Sequence, residues 1–245
     1  MNFFLYSLIS SVVIAILSSV GIVFLFLNDK SLKKILILLV SFSAGALLGG
    51  AFFHLLPEAV EEFGGGKVIF SYLIIGFSLF FVLERVLRWH HCHEVGCMTH
   101  KHLGHLNLIG DGVHNVIDGI IIISSFSLDF NLGVAITLSI ALHEIPQEIG
   151  DLGVLLYSGF GRIKALIYNL VSASTVILGV IIGYFLLNRI DDFSCFLLPF
   201  AAGGFIYIAS SDLIPELHKE INVKKAFLSF IIFSLAIVFM FLIAH

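Results

Sequence analysis

The sequence predicts an all-α, polytopic membrane protein with eight transmembrane helices. Two observations predict it. Of the 245 residues, 59% are hydrophobic and 12% charged, with a mean hydropathy of +1.08; an ordinary soluble domain has about 45–50% apolar and about 25% charged residues. The apolar residues also fall in runs near or above the roughly 20 that cross a bilayer as a helix, not in the alternating segments of about ten that build a transmembrane barrel. A water-soluble globule is excluded. The net charge of −4 offers no broad basic surface, so nucleic acid falls away as a partner. Membrane lipid and ligands held within or beside the bilayer remain.

The first run, residues 3–27, starts without a basic stretch and is longer than a signal-peptide core, so it is expected to be a retained span. Seven more follow at 33–57, 68–88, 106–127, 131–157, 165–187, 195–215 and 225–244. Together they form one transmembrane domain over 1–245, with a His-rich loop at 89–105 between the third and fourth spans. With the N-terminus outside, the inner loops and helix ends carry Lys30, Lys33, Lys34, Arg85, Arg88, Lys101, Arg162, Lys164, Lys219, Lys224 and Lys225. The outer ones carry only Lys67 and Arg189. The positive-inside bias therefore places both termini outside, with the cell (plasma or inner) membrane as the expected location.

Residues 43–59, SAGALLGGAFFHLLPEA, align without a gap to 201–217, AAGGFIYIASSDLIPEL. Ala44, Gly45, Ala51, Leu55, Pro57 and Glu58 recur as Ala202, Gly203, Ala209, Leu213, Pro215 and Glu216. The second and seventh spans run in opposite directions, so the copies form an inverted repeat of the kind found in transporters, in a 3 + 2 + 3 arrangement. This puts His54 and Glu58 toward the outer mouth, and Asp212 and Glu216 toward the inner one. Asp212 reads as a pathway residue or as a helix-end charge; His54 reads as a gate or outer-mouth ligand, or as an interfacial histidine bonded to a neighbour.

The fourth and fifth spans carry what a lipid-facing helix would not. One reads Asp111-Gly-Val-His114-Asn115-Val-Ile-Asp118, the other His143-Glu144-Ile-Pro146-Gln147-Glu148-Ile-Gly-Asp151. Ionisable groups at that depth are costly unless paired, hydrated or bound to a metal, which makes them functional candidates. His114 and Asp118, His143 and Gln147, and Glu144 and Glu148 are each four residues apart, which places both members of a pair on one helical face. Each pair can reach one cation. The motifs correspond, His114 to His143, Asn115 to Glu144 and Asp118 to Gln147, so the helices are expected to present matching faces to a shared site. Imidazole with carboxylate and amide oxygen, and no thiolate, suits Zn²⁺, Fe²⁺ or Mn²⁺ rather than Cu(I). Pro146 removes one backbone hydrogen bond and frees a carbonyl near Leu142 and His143. Pro57 and Pro215 are placed to do the same near the mouths. Asp111 and Asp151, one turn from the motifs, read as supports for the site or as a route to the inner face.

At these residues the sequence resembles the ZIP (Zrt/Irt-like protein) family of divalent-metal transporters. HNVIDG, HEIPQEIGD, HLLPEA and the Asp-Leu-Ile-Pro-Glu of the seventh span carry the likeness, which covers essentially the whole chain. It is closest to the subfamily whose fifth span reads His-Glu-x-Pro-His-Glu-x-Gly-Asp, with Gln147 standing where that pattern has His. The resemblance implies an eight-helix bundle and movement of Zn²⁺, or of Fe²⁺, Mn²⁺ or Cd²⁺, toward the cytoplasm through a binuclear-type centre. Carried over by motif position, His114, Asn115, Asp118, His143, Glu144, Gln147 and Glu148 would be the ligands. Gln147 replaces an imidazole with a neutral amide, a weaker donor that takes up no proton.

A competing reading treats His143-Glu144-x-x-Gln147 as a near-match to the zinc-protease motif, hence an intramembrane metallohydrolase. The missing second His and the proline inside the motif argue against an enzyme. Between the third and fourth spans, HHCHEVGCMTHKHLGH holds His90, His91, His93, His100, His102 and His105 with Cys92 and Cys97. Such tracts chelate metal, either as a receiving loop at the exit or as a solvated loop without effect on transport. Gly179-x-x-x-Gly183 is a candidate helix contact, a homodimer face included. Glu84 with Arg85 and Arg88 reads as an interfacial charge cluster.

Overall fold

The structure, a computed structural model, describes residues 2–20, 29–88, 100–190 and 193–244. These residues form eight successive helices. Helix α1 spans Phe3–Ser18. Helix α2 runs Asp29–Gly50, passes through a π-helical segment at Ala51–Leu55 and continues as Leu56–Phe63. Helix α3 is Lys67–Arg88, α4 His100–Leu128 and α5 Phe130–Tyr157. Helix α6 spans Arg162–Ala173 and resumes as Thr175–Leu187. Helix α7 runs Phe193–Ile208, through a second π segment at Ala209–Leu213, to Ile214–His218; α8 is Val223–Leu242.

Six of these, α2, α3, α4, α6, α7 and α8, contain a stretch long and apolar enough to cross a membrane, and the chain is a polytopic integral membrane protein. The other two expected spans differ for separate reasons. The described part of α1 is 16 residues long, and most of the expected remainder to residue 27 lies outside the described residues. Helix α5 is 28 residues long, but Glu144, Glu148 and Asp151 in its second half lower its apolar character. Helix α4 starts earlier than expected, at His100, within the His-rich segment; residues 89–99 of that segment lie outside the described residues.

The helices pack in two groups. In one, α4 lies against α5 and α6, and α1 touches all three; in the other, α2 pairs with α8 and α3 with α7. Contacts between α2 and α5 and between α7 and α4 join the groups. Helices α4 and α6 approach closely enough that a Cβ on Gly119 would meet the Val176 carbonyl and Gly179, and one on Gly179 would meet the Val116 carbonyl and Gly119. Gly183 faces Ile120 and Ile123. The Gly179–Gly183 face is therefore used inside the chain, against α4, and is not a surface for a second copy.

The internal sequence match reappears as a shared backbone irregularity. Both copies carry a five-residue π segment at the same register, Ala51–Leu55 and Ala209–Leu213, and His54 and Asp212 occupy equivalent positions in them. Each segment precedes a proline at the start of the next helical stretch, Pro57 or Pro215. A proline ring collides with the carbonyl four residues back, here Phe53 or Ser211, and removes that hydrogen bond. The widened turn absorbs the mismatch without ending the helix.

Candidate metal centre

A one-residue connection sets the register of the site. Asp129 is extended between α4 and α5, and its side chain accepts hydrogen bonds from the backbone N–H of Asn131 (2.8 Å) and Leu132 (3.0 Å), capping α5. His114 precedes Asp129 by 15 residues and His143 follows it by 14. At about 1.5 Å rise per residue both imidazoles stand at the same depth in this antiparallel hairpin.

Four side chains converge there. His114 Nε2 lies 3.2 Å from His143 Nε2 and 3.6 Å from both Asp118 Oδ2 and Glu144 Oε1. His143 Nε2 is 3.3 Å from Asp118 Oδ2 and 3.5 Å from Glu144 Oε1. Donors about 2.0–2.1 Å from a tetrahedral Zn²⁺ stand about 3.3–3.4 Å apart, so this spacing fits such an ion. His143 Nδ1–H donates to the Ser139 carbonyl at 3.1 Å, which leaves Nε2 its lone pair for a metal. Asp118 and Glu144 are each 1% exposed, and none of their carboxylate oxygens receives a hydrogen bond. Two buried carboxylates served only by imidazoles are costly; a divalent cation between them answers that cost. Phe80 of α3 meets the His114 ring edge-on at 5.9 Å and Phe205 of α7 meets His143 at 5.8 Å, so the second helix group walls the site.

A second cluster lies one turn away, toward the end where α4 begins. Asp111, Glu144 and Glu148 bring carboxylate oxygens within 4.8 Å of one another, and Glu144 belongs to both clusters. Asp111 Oδ1 accepts from Asn115 Nδ2 (3.0 Å) and from Gln147 Nε2 (3.3 Å). Glu148 Oε2 accepts a short hydrogen bond from Asn169 Nδ2 on α6. The other oxygens, Asp111 Oδ2 and Glu148 Oε1, are buried without a partner, as is Asn115 Oδ1. One turn further, Asn107 Nδ2 donates to Asp151 Oδ1 at 2.9 Å.

The expected side-by-side match of the two motifs is thus corrected. Because α4 and α5 are antiparallel, four residues onward from His114 leads to Asp118 on one side of the imidazole pair, whereas four onward from His143 leads to Gln147 on the other. Glu144, adjacent to His143, takes the corner expected of Gln147. Gln147 is half-buried, with its amide nitrogen on Asp111, and Asn115 likewise turns its nitrogen to Asp111. Asp111, read from the sequence as a support, lies among the carboxylates.

Pro146 leaves the Leu142 carbonyl without its helical partner, as expected, and Ser43 Oγ of α2 donates to it at 2.5 Å. His54 is buried, with Nε2 3.0 Å from the Met240 carbonyl, and lines a cavity of about 200 Å³ with Glu58, Glu61, Asp129 and Asn131. That cavity lies at the end of the bundle opposite the His-rich segment. Asp212 is half-buried in the α7 π segment and is not a member of either cluster. Glu84 accepts a short hydrogen bond from Tyr207 of α7, a pairing beyond the expected charge cluster. His90, His91, Cys92, His93 and Cys97 lie outside the described residues. His105 is exposed, its ring against Phe160 at 5.2 Å.

The sequence reading passed over Asn169, Ser43, Phe80 and Phe205. Asn169 left a signal, as it heads a polar stripe with Ser172 and Thr175 in a mostly apolar helix; a phenylalanine in an apolar span left none.

Comparison with known proteins bears on the same residues. The chain is 30% identical over 243 residues to zinc transporter zipt-7.1 of Caenorhabditis briggsae, covering 75% of this chain and 62% of that protein. It is 30% identical over 244 residues to zinc transporter YKE4 of Saccharomyces cerevisiae, covering 87% of this chain and 70% of the relative. Against zinc transporter ZIP13 of Pongo abelii it is 33% identical over 198 residues, 74% of this chain and 58% of that one. The matches span between 58% and 70% of the length of these relatives. The family model for the ZIP zinc transporter matches residues 3–105 and 88–244, taking in the α4–α5 hairpin and both π segments. With the His-carboxylate cage inside the matched region, the chain belongs to the ZIP zinc transporter family.

Proposed function

We propose that this chain transports divalent transition-metal ions, Zn²⁺ foremost, across the membrane toward the cytoplasm through a binuclear centre between α4 and α5. The observation that carries the proposal is the buried cage of His114, Asp118, His143 and Glu144, whose donor spacing suits one tetrahedral cation. Asp111, Glu144 and Glu148 form the second station, with Asn115 Oδ1 and Gln147 at its edge. The relatives' names, all zinc transporters, support Zn²⁺ as cargo; Fe²⁺, Mn²⁺ and Cd²⁺ suit the same donors.

The proposed arrangement is eight spans in a 3 + 2 + 3 inverted repeat with both termini outside. Three observations support it: the π segments at equivalent register, the Lys/Arg bias, and the pairing of α2 with α8 as α7 pairs with α3. The ion enters past Glu58 and His54 and leaves past Asp111 and Asp151 toward Asp212 and the His-rich loop. A hydrolase is disfavoured because Glu144 Oε1 is itself a corner of the cage, 3.5–3.6 Å from both imidazoles, rather than a base beside it. The test is uptake of radioactive Zn²⁺ by proteoliposomes against competing Fe²⁺, Mn²⁺ and Cd²⁺. Saturable Zn²⁺ uptake lost in His143→Ala is expected; equal uptake by both would overturn the reading.

A further inference from the structure

The three carboxylates of the second station are not held alike. Asp111 Oδ1 accepts from Asn115 and Gln147 within the α4–α5 hairpin, with Ser172 of α6 beside the carboxylate. Glu148 is reached from other helices, by Asn169 of α6 and with Ser18 of α1 beside it. Asn169 of α6, 3% exposed, donates through Nδ2 to Glu148 Oε2, and the same nitrogen lies 3.3 Å from the Glu148 backbone carbonyl. In both carboxylates an amide N–H occupies one oxygen and leaves the other buried without a partner.

Asn169 is itself held in register. Three residues on, Ser172 Oγ donates to the Leu108 carbonyl at 2.8 Å; three further, Thr175 Oγ1 donates to the Gly112 carbonyl at 2.8 Å. These bonds pin α6 along α4, at the separation set by Gly119 and Gly179. The stripe of Asn169, Ser172 and Thr175 is thus a polar seam, and its first member reaches past α4 to α5.

We propose that Asn169 is the positioning residue of the second station. By occupying Oε2 it directs Glu148 Oε1 toward Asp111 and Glu144. The second station therefore takes a hydrogen bond directly from α6, through Asn169 and Glu148. This rests on the binuclear reading above and adds to it the helix that controls the second ion.

The test is equilibrium dialysis of Zn²⁺ with the full purified chain, reading the first and second binding steps separately. Two ions per chain are expected for the natural sequence. Asn169→Ala is expected to keep the first step and weaken the second by about 10–100-fold, the usual cost of losing a residue that orients a metal ligand. Asn169→Ser, which keeps a shorter donor, is expected to fall between. In a Glu148→Gln background Asn169→Ala is expected to add no further loss. A second step unchanged in Asn169→Ala overturns the proposal, as does equal weakening of both steps, which would mark a packing role. A natural chain binding one ion, lost in His143→Ala, overturns this inference but leaves the cage standing. Binding of no ion overturns the transport reading itself.

Discussion

The two clusters share a helix pair and one carboxylate, yet differ in chemistry. The cage of His114, Asp118, His143 and Glu144 mixes two nitrogens with two oxygens, and its carboxylates receive no hydrogen bonds. The cluster of Asp111, Glu144 and Glu148 is all oxygen, and two of its carboxylates are each half-satisfied by neutral amides. Imidazole donors favour borderline ions such as Zn²⁺, whereas oxygen sets bind harder ions and release borderline ones more readily. On the transport proposed above, one turn of helix would separate a site suited to selecting the ion from one suited to passing it on. Antiparallel packing makes this difference, since advancing along α4 moves toward one end of the bundle and advancing along α5 toward the other.

The largest effect is expected from the cage. Asp118→Ala leaves His114 and His143 with a single carboxylate corner and is expected to lower Zn²⁺ uptake by more than about 100-fold, beyond the usual cost of a supporting residue. Near-normal flux in proteoliposomes would show that the cage does not carry the ion. Next comes pH: protons compete with metal for imidazoles and carboxylates, so Zn²⁺ affinity by calorimetry is expected to fall steadily from about pH 7.5 to about 5.5. A flat profile would exclude His114 and His143 as donors.

Glu148→Gln sharpens the contrast, because it touches one cluster alone. Uptake is expected to fall by about tenfold while the first binding step holds; equal losses in both steps would make the stations a single site. Gln147→His offers an imidazole beside Asp111 and is expected to tighten the second step several-fold, with unchanged binding placing Gln147 outside the centre. The smallest effect is expected from Ser43→Ala, which strips the Leu142 carbonyl of its only described partner. An unsatisfied buried carbonyl costs about 1–3 kcal/mol; Leu142 is half-buried, so the lower end is expected, to be read as a lower melting temperature in detergent. An unchanged melting temperature would mean that water replaces Ser43.

Much of this was legible along the chain, for identifiable reasons. His114, Asp118, His143 and Glu144 stood out because lipid tolerates so few ionisable groups that each one signals a purpose. The repeat around Pro57 and Pro215 was visible as shared letters, and the structure adds that both copies relieve the same proline clash with a π turn. Gln147 sits beside Asp111 rather than in the imidazole cage, because spacing within a helix says which residues share a face, but not which way the neighbouring helix runs. The eight-span count is unmet at α1, whose described part is short, and at α5, where Glu144, Glu148 and Asp151 erase the apolar signal that identifies a span.

Composition and local spacing therefore determined by themselves that the chain lies in a membrane and that one hairpin carries a concentration of histidines and carboxylates able to hold a metal, because both follow from the cost of polar groups in hydrocarbon. Only the tertiary structure decided how those donors divide into two clusters. It also decided that Asn169 reaches Glu148, that Ser43 serves the carbonyl freed by Pro146, and that Phe80 and Phe205 wall the imidazoles. Such contacts depend on helix direction and on the close approach allowed at Gly119 and Gly179, quantities fixed by packing among distant segments and absent from any local window of sequence.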